Sequence, residues 1–241
     1  MQLLDLTLPT PQENLALDEA LLDEADEAEG PPREYLRLWE SDRPFVVLGR
    51  SSRVEQEVDL DACGRLGVPV LRRSSGGAAV VAGPGCLMYA VVLSYDRAAD
   101  LRMIDRAHRF VLDRMADGLR GLLPGIARQG TSDLTTGGRK FSGNSLRCKR
   151  RYFLYHGSLL YGLDAELIAR CLRMPPRQPD YRQGRGHRAF LTNVSLDAAA
   201  LRAAVIEAWD ITGPVTSWPV ERVAMLVRER YSCSDWTFRF G

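Results

Sequence analysis

Two long amphipathic helices are the clearest elements that the pattern of apolar and polar positions predicts. One is predicted from Thr10, where leucine and alanine recur every four residues, with Pro11 in the first turn and Glu13 placed to complete a capping box. Another is predicted over 104–123, where apolar residues recur every three or four positions and a Pro-Gly pair follows. Shorter helices are predicted over 164–172, 196–209 and 219–230.

Strands are predicted where short runs of valine, leucine and aromatic residues are separated by Gly, Pro, Ser or Asp. The order of elements is not a regular strand–helix–strand alternation, so it predicts an α+β fold with a mixed, mostly antiparallel sheet flanked by helices. We expect residues 1–241 to form a single domain. The segment 174–188 has no periodicity and is expected to be a mobile loop over a site. The predicted strands cover 35–40, 44–49, 69–73, 78–82, 87–95, 137–143, 152–161 and 235–240.

The total charge is close to zero, because 32 Lys and Arg stand against 31 Asp and Glu and leave a net charge of +1. We therefore expect neither nucleic acid nor a membrane surface as a partner. The distribution is uneven, since residues 1–30 contain nine acidic residues and no basic one, whereas 139–188 contain twelve basic residues and three acidic ones. The second segment predicts a local cationic surface.

Five widely spaced cysteines, none in a Cys-x-x-Cys pair, indicate neither a disulfide framework nor a zinc site. The amino terminus has no basic segment followed by a long apolar one, and the chain has no run of about eighteen apolar residues. These features predict a cytoplasmic protein that does not span a membrane.

The first candidate for chemistry is the stretch RRSSGGAAVVAGPG, which begins at Arg72 and lies between two predicted strands. Gly76 and Gly77 allow a tight turn and close approach of a ligand, while Arg72, Arg73 and Ser75 add hydrogen-bond donors. A loop of this kind suits an anion. A plain glycine hairpin with solvated arginines is the alternative.

The second candidate is Lys140, which lies between a Gly-Gly and a Ser-Gly pair in the strand-like run SDLTTGGRKFSGNSLR. Turns on both sides would direct its ammonium group into the space that the sheet encloses. There it can hold a carboxylate or phosphate oxygen and stabilise negative charge during acyl transfer. A solvated surface lysine is the alternative. The third candidate is His156, before a run of small and apolar residues, with either a structural role or a role in a site.

Taken together and in this order, these stretches resemble a known family. RRSSGGAAVV, GRKFSGNSLR and HGSLL are similar to motifs of the lipoate-protein ligase A and octanoyltransferase enzymes. NLALDEALL, LWESDRPFVVLGRSS, HRAFLTNVS and RERYSCSDW are similar to further parts of the same domain. The resemblance covers nearly the whole chain. It implies the catalytic-domain fold that these enzymes share with biotin protein ligases, without a C-terminal accessory domain.

The resemblance implies an enzyme that attaches a lipoyl or octanoyl group to a lysine of a small acidic acceptor, either a lipoyl domain or a glycine cleavage H-type protein. In the ligases, ATP and Mg²⁺ first convert lipoate to lipoyl-AMP. Carried onto this chain, Lys140 is the catalytic residue, at the acyl carbonyl and the α-phosphate, and Asp133 lies near the metal and the adenylate. The other residues implied in acyl or adenylate binding are Arg72, Arg73, Ser75, Gly76, Gly77, Ala78, Ser142, Gly143, Asn144 and His156. The basic run predicted to dock the acidic acceptor is Arg147, Lys149, Arg150 and Arg151.

Departures from the family pattern leave three functions open. Ala82 and Gly83 stand where the family has a His-Asp pair, and Ser132 replaces an Asn, so ATP-dependent activation in this chain is one possibility among others. A transferase that carries the acyl group on a cysteine is the second, with Cys171 or Cys148 as the nucleophile. A non-catalytic protein that binds lipoate or the acceptor is the third. A separate accessory subunit is a further expectation, because larger ligases continue beyond the point that DWTFRFG occupies here.

Overall fold

Two β-sheets frame the part of the chain that the structure, a computed structural model, describes, which is residues 1–240. In the larger sheet the strands follow the spatial order β11 (Gly213–Pro214), β1 (Gln2–Asp5), β2 (Tyr35–Trp39), β6 (Cys86–Ser94), β10 (Tyr152–Leu160), β9 (Arg139–Cys148), β8 (Asp133–Thr136) and β7 (Ala127–Gln129). The smaller sheet has the order β4 (Val70–Arg72), β3 (Phe45–Leu48) and β5 (Val80–Ala82). In the larger sheet β1 pairs in parallel with β2 and β11, and the other neighbours are antiparallel. The predicted α+β class with a mixed, mostly antiparallel sheet is confirmed.

Helices cover both faces of the larger sheet. Helix α1 begins at the predicted cap, where the Glu13 amide donates to the Thr10 hydroxyl at 3.2 Å and the Thr10 amide donates to the Glu13 carboxylate at 2.9 Å. Within residues 1–240, every helix is either too short or too polar to cross a membrane. The α-helices are α1 (Pro11–Glu27), α2 (Val54–Glu57), α3 (Leu60–Leu66), α4 (Ile104–Leu119), α5 (Ala165–Cys171), α6 (His187–Phe190), α7 (Ala198–Glu207), α8 (Val220–Leu226) and α9 (Ser234–Thr237).

Alternating side chains along β6 divide the interior into two cores. Leu87 and Tyr89 lie in a core that includes residues of α4 and α7, whereas Met88 and Ala90 lie in a second core that includes residues of α1, α8 and the smaller sheet. Successive residues of a strand point to opposite faces, so one strand can contribute to both cores. The face of the larger sheet that is covered by α1 is therefore also the face that packs toward the smaller sheet.

The connection from β4 to β5 is not the plain glycine hairpin that the sequence leaves open as an alternative. Both strands pair with β3, β4 in parallel and β5 antiparallel, so residues 73–79 pass around the carboxyl end of β3. The Arg50 amide donates to the Ser75 carbonyl at 2.7 Å and ties this passage to the residues after β3. Gly49 leaves the room that is needed, because a Cβ there would overlap the Gly77 carbonyl oxygen.

Two other segments differ from expectation. The strand predicted over 235–240 is wrong, because Ser234–Thr237 is helical. Polar groups of this helix form hydrogen bonds with Arg72. The Arg72 carbonyl accepts from the Trp236 indole at 2.9 Å, and Arg72 Nε donates to the Thr237 carbonyl at 2.8 Å. The segment 174–188 contains a 3₁₀ turn at Asp180–Arg182 and the start of α6. Its mobility stays a prediction.

Candidate active site

A cavity of about 430 Å³ lies between the two sheets. This volume is within the range of sites that hold small ligands. Most of the lining is apolar, and the polar lining comes from α2, β8, β9 and β10, from the glycine loop (residues 74–78), and from the segment after α5. The exposed residues Arg173 and Arg177 lie at its edge, and neither forms an ion pair within residues 1–240. The apolar side chains of the lining include Leu15, Val47, Val81, Met88, Phe141, Leu160, Ile168 and Leu172.

Lys140 lines this cavity and is half-buried, with 23% of its side chain exposed. Its Nζ lies 2.7 Å from Asp133 Oδ1, and the other oxygen of the same carboxylate accepts from the Tyr181 hydroxyl at 2.7 Å. Burial raises the pKa of Tyr181, so the phenol stays protonated and acts as the donor. The lysine therefore has a fixed partner at the wall of an apolar space.

Glycines place Lys140 in this position. Gly137 and Gly138 form the turn between β8 and β9 with φ values of 55° and 70°, in the left-handed region that favours glycine. A Cβ at Gly143 would lie 2.7 Å from Lys140 Nζ, so the ammonium group rests directly over this residue. The Lys140 carbonyl accepts from the Thr192 amide at 2.9 Å, which fixes the backbone as well.

In the glycine loop, residues 74–78, the carbonyl groups are all occupied. They accept from Arg147, Arg50, Arg73, Ser145 and Ser52. The amide groups of the same five residues have no acceptor within residues 1–240. A loop whose carbonyls are turned to the protein and whose N–H groups are unpaired suits an anion.

The two arginines before this loop support it from inside. Arg73 is buried, donates to the carbonyls of Val47 and Ala78 at 3.2 and 3.1 Å, and has its pKa lowered to about 10 by burial. Arg72 is fully buried beneath α9 and donates to the Gly49 carbonyl at 2.7 Å. Only Arg73 lines the cavity, so the structure places Arg72 in packing rather than at a ligand.

His156 lines the cavity and connects the glycine loop to α1. Its Nε2 lies 2.5 Å from Ser75 Oγ, and its Nδ1 lies 3.4 Å from Asp18 Oδ2. Asp18 in turn accepts from the buried Arg37 at 2.5 Å. The Ser75 oxygen also accepts from Arg73 Nε at 3.1 Å, and Ser75 is buried. This chain of contacts fixes the loop before Gly76 against the sheet.

Asn144 and its neighbours form the polar wall next to Lys140. Asn144 donates to the Ser132 carbonyl at 2.8 Å and accepts from the Tyr89 hydroxyl at 2.5 Å. The cavity lining includes Ser142, Gly143, Asn144 and Ala78. It does not include Ser75 or Gly76. The structure thus brings most of the predicted acyl- and adenylate-binding residues to one space.

Asp133, which the resemblance places near a metal, is already engaged on both carboxylate oxygens. Residues 1–240 contain no group of three or more His, Cys, Asp or Glu side chains placed to hold a metal ion together. Protein sites for Mg²⁺ use one or two carboxylates whose oxygens are available to the ion. With both of its oxygens paired, Asp133 has no free oxygen to offer a resident Mg²⁺, and the described residues do not fit one.

Neither candidate nucleophile lines the cavity. Cys171 is fully buried on α5, and burial raises its pKa. The neighbouring Cys63, whose Sγ lies 3.9 Å from the Cys171 carbonyl, has its pKa raised to about 12, mainly by burial. Cys148 is exposed at the end of β9, beyond Ser145, the last residue of that strand that lines the cavity. The lining within residues 1–240 contains no cysteine.

Most of the basic run that is predicted to dock an acceptor is bonded within the chain, to the acidic helix α1. Lys149 pairs with Asp23 at 2.5 Å, and Arg151 Nε donates to the Asp26 carbonyl at 3.0 Å. The Arg147 guanidinium donates to the Ser74 carbonyl at 3.0 Å and lies 3.6 Å from Glu19. Arg150 is exposed, and within residues 1–240 neither its side chain nor that of Arg151 forms an ion pair. Two of the four basic side chains of the run, Arg147 and Lys149, are therefore paired with acidic residues of α1.

Sequence reasoning missed two residues of the site. Tyr181 contacts Asp133 from a segment without periodicity, so no pattern marked it. Glu57 lines the cavity and accepts from the Ala79 amide at 2.6 Å, but it lies in a short helix that was not predicted.

Solved structures share this fold over the whole chain. The bi-partite lipoate protein ligase of an archaeal lipoylation system from Thermoplasma acidophilum, described with its E2 lipoyl domain, has a TM-score of 0.84 at 23% identity and covers 100% of this chain and 96% of its own. A lipoate-protein ligase A bound with ATP has a TM-score of 0.81 at 23% identity and covers 100% and 99%. The fold is that of the lipoate-protein ligases.

Curated relatives give the same family. Octanoyltransferase LipM of Carboxydothermus hydrogenoformans is 28% identical over an alignment of 257 residues, gaps included. The alignment covers 95% of this chain and 94% of the relative. Octanoyltransferase LipM of Geobacillus kaustophilus is 27% identical over 265 residues, with the same coverage of 95% and 94%. The family model of the lipoyl protein ligase A/B catalytic domain matches residues 10–208. The chain belongs to this family and is an enzyme of the lipoyl ligase and transferase group, as the resemblance predicts.

Proposed function

We propose that this chain transfers a lipoyl or octanoyl group from an acyl-adenylate to a lysine of an acceptor lipoyl domain. The observation that carries the proposal is the half-buried ammonium group of Lys140 on the wall of an apolar cavity. In this proposal the apolar lining holds the acyl chain, the amide groups of Gly77 and Ala78 hold the phosphate, and Lys140 faces the acyl carbonyl. Arg173 and Arg177 add positive charge at the edge.

The transfer step needs no nucleophile from the protein. The acceptor amine attacks the carbonyl carbon, a C–N bond forms, the C–O bond to AMP breaks, and the amine proton leaves to solvent. Negative charge builds up on the carbonyl oxygen before AMP departs, and a positioned ammonium group stabilises that charge. A mixed anhydride is already activated, so holding it in place supplies much of the rate.

An adenylate suits the cavity better than a cysteine-bound intermediate. Cys171 is buried with a raised pKa, and Cys148 lies beyond the part of β9 that lines the cavity. A thiol in such a buried setting is a poor nucleophile because little of it is ionised.

Direct transfer from an octanoyl thioester is the second candidate, because the curated relatives are named octanoyltransferases. The same cavity and the same lysine would serve, with a thiol as the leaving group in place of AMP. The acceptor lysine would then attack the thioester itself.

The test offers an apo acceptor lipoyl domain together with one donor at a time and measures the acceptor mass. The donors are lipoate with ATP and Mg²⁺, synthetic lipoyl-adenylate, and octanoyl carrier protein. We expect a lipoyl mass increase with lipoyl-adenylate. Product from the adenylate but not from lipoate with ATP would mean that a separate subunit supplies activation. Product from the carrier protein alone would favour the second candidate and contradict the first.

The chain offers a matched control for Lys140, since its other lysine, Lys149, pairs with Asp23 outside the cavity. Lys140→Ala should slow transfer about 100-fold, the loss that follows removal of one preorganised charge-stabilising donor. Lys149→Ala and Cys148→Ser should stay within about twofold of the unmodified chain, as expected for residues away from the reacting atoms. Full activity of Lys140→Ala would remove this residue from the mechanism.

A further inference from the structure

Tyr181 joins the segment after α5 to the Lys140–Asp133 pair. Its hydroxyl donates to Asp133 Oδ2 at 2.7 Å, while Lys140 Nζ lies 2.7 Å from Oδ1 of the same carboxylate. We propose that Tyr181 is a positioning residue, which fixes the Asp133 carboxylate and, through it, the direction of the Lys140 ammonium group. The expected effect of Tyr181 on transfer rests on the proposed function, whereas its expected effect on Lys140 rests on the contacts alone.

The segment that carries Tyr181 is tied to both ends of the β8–β9 hairpin. At one end, a Cβ at Gly130 would lie 3.4 Å from the Tyr181 ring, so the ring packs on the backbone just before β8. At the other end, Arg185 donates to the Gly138 carbonyl at 3.2 Å in the turn. Lys140 lies between these two attachments and pairs with Leu191 by an isolated bridge. The position of this segment is thereby coupled to the backbone around the lysine.

Packing fixes the Tyr181 ring, so that the hydroxyl has a defined direction. The ring lies 5.2 Å from the Phe190 ring, and the guanidinium groups of Arg182 and Arg185 lie 4.5 and 5.4 Å from the same Phe190 ring. Such aromatic and cation–π contacts restrict rotation of a side chain. Removing the hydroxyl alone should therefore leave the ring in place.

The hydrogen bond matters because Lys140 has two competing tasks. It is held by Asp133 in the free protein, and in the proposed reaction it must reach the acyl carbonyl. The Asp133 carboxylate binds the phenol through one oxygen and the ammonium group through the other. The bond to the phenol therefore fixes the direction of the carboxylate that holds the ammonium group. Without the phenol, Asp133 can rotate, and Lys140 loses its fixed direction.

The test compares Tyr181→Phe with Tyr161→Phe. Tyr161 donates to the Glu40 carboxylate at 2.6 Å and does not line the cavity, so its variant loses the same kind of bond elsewhere. In single-turnover transfer from lipoyl-adenylate, Tyr181→Phe should lower the rate constant about tenfold, as expected for one hydrogen bond to a charged group. The half-saturating donor concentration and the Tyr161→Phe rate should change less than about twofold.

A double-mutant cycle separates action through Asp133 from simple packing. In an Asp133→Asn background, adding Tyr181→Phe should change the rate by less than about twofold, because the partner is already altered. Equal losses in both backgrounds would overturn the inference, since they would show that Tyr181 acts independently of Asp133.

Chemical labelling of Lys140 tests the inference without any transfer. In competitive acetylation of the free protein, read by peptide mass, Tyr181→Phe should raise the labelling rate of Lys140 by about threefold or more, because the ammonium group is less firmly held. Tyr161→Phe should leave it unchanged. Unchanged labelling in Tyr181→Phe would overturn the positioning role. Raised labelling in a chain that transfers nothing would support that role and contradict the proposed function.

Discussion

At the scale of single residues, the site depends on where side chains are absent as much as on where they are present. Gly143 leaves the space in which the Lys140 ammonium group rests, and Gly157 does the same for Asn144, whose Oδ1 a Cβ would overlap. Small residues next to a functional side chain thus determine how closely it approaches the sheet. Both glycines lie in the stretches that resemble the family, but their effect is visible only when the neighbouring strands are in place.

The basic run 147–151 shows the opposite case, in which prominent charges serve the fold. Arg151 Nη2 donates to the carbonyls of Asp26 and Ala28 at the end of α1, and its amide donates to Asp26 Oδ1 at 2.7 Å. Carbonyl groups at a helix end have no partner within the helix, so a guanidinium group there satisfies them. The role of Arg151 is therefore structural in the first place.

Replacing Arg151 should destabilise the protein, whereas replacing its neighbour should not. Arg151→Ala should lower the free energy of unfolding by about 1–3 kcal/mol, because carbonyl groups at the end of α1 lose their donors. Arg150→Ala, at an exposed side chain, should change it by less than about 0.5 kcal/mol. Denaturant unfolding of both variants measures the difference. Equal effects of the two substitutions would contradict the assignment.

At the scale of elements, the passage of residues 73–79 around the end of β3 shapes the cavity. It depends on close approach between Gly49 and Gly77, with Ser52 Oγ donating to the Gly77 carbonyl at 3.2 Å. The glycine loop holds its position because β3 lies between β4 and β5.

A methyl group at Gly49 should disturb this passage. Gly49→Ala should lower the free energy of unfolding by about 1–3 kcal/mol through overpacking against the Gly77 carbonyl, and it should also weaken donor binding by displacing the loop. Gly64→Ala is the control, since a Cβ there meets nothing within 4 Å inside α3. That substitution should be neutral or stabilise by up to about 1 kcal/mol. A Gly49→Ala variant as stable as Gly64→Ala would show that the close approach does not exist.

Much of the element pattern was predictable because periodicity and caps are local. The capping box of α1 and the strands β2, β3, β6 and β10 follow from neighbouring residues alone. The order of strands within the smaller sheet was not predictable, because a Gly-rich stretch between two strands reads as a hairpin unless a third strand separates them. The helix at Ser234–Thr237 was missed for a similar reason, since its contacts with Arg72 are distant in sequence.

The candidate site was predictable where a residue type indicated its own chemistry. Lys140 and Gly77 could be selected from sequence, and the structure places both at the cavity. Tyr181 could not, because a tyrosine in an aperiodic segment gives no sign of the carboxylate it will meet. Arg72 was selected for its charge, but burial under α9 gives it backbone carbonyls as partners.

At the scale of the whole molecule, some basic side chains pair with acidic ones in the fold, whereas others lie at the edge of the apolar cavity. Arg147 and Lys149 pair with Glu19 and Asp23 of the acidic amino-terminal helix, so part of the uneven charge of the sequence is neutralised within the fold. Arg173 and Arg177, which form no ion pair within the described residues 1–240, lie at the edge of the cavity. An anionic activated acid with an apolar tail is complementary to this arrangement.

The most direct measurement is a crystal structure with the sulfamoyl analogue of lipoyl-adenylate, which cannot transfer its acyl group. We expect the lipoyl chain in the cavity between the two sheets, with Lys140 Nζ within hydrogen-bond distance, about 3 Å, of the acyl carbonyl oxygen. We also expect the sulfamate at the amide groups of Gly77 and Ala78, the residues of the glycine loop that line the cavity. An analogue bound outside this cavity, or a carbonyl oxygen that Lys140 does not reach, would contradict the proposed role of Lys140.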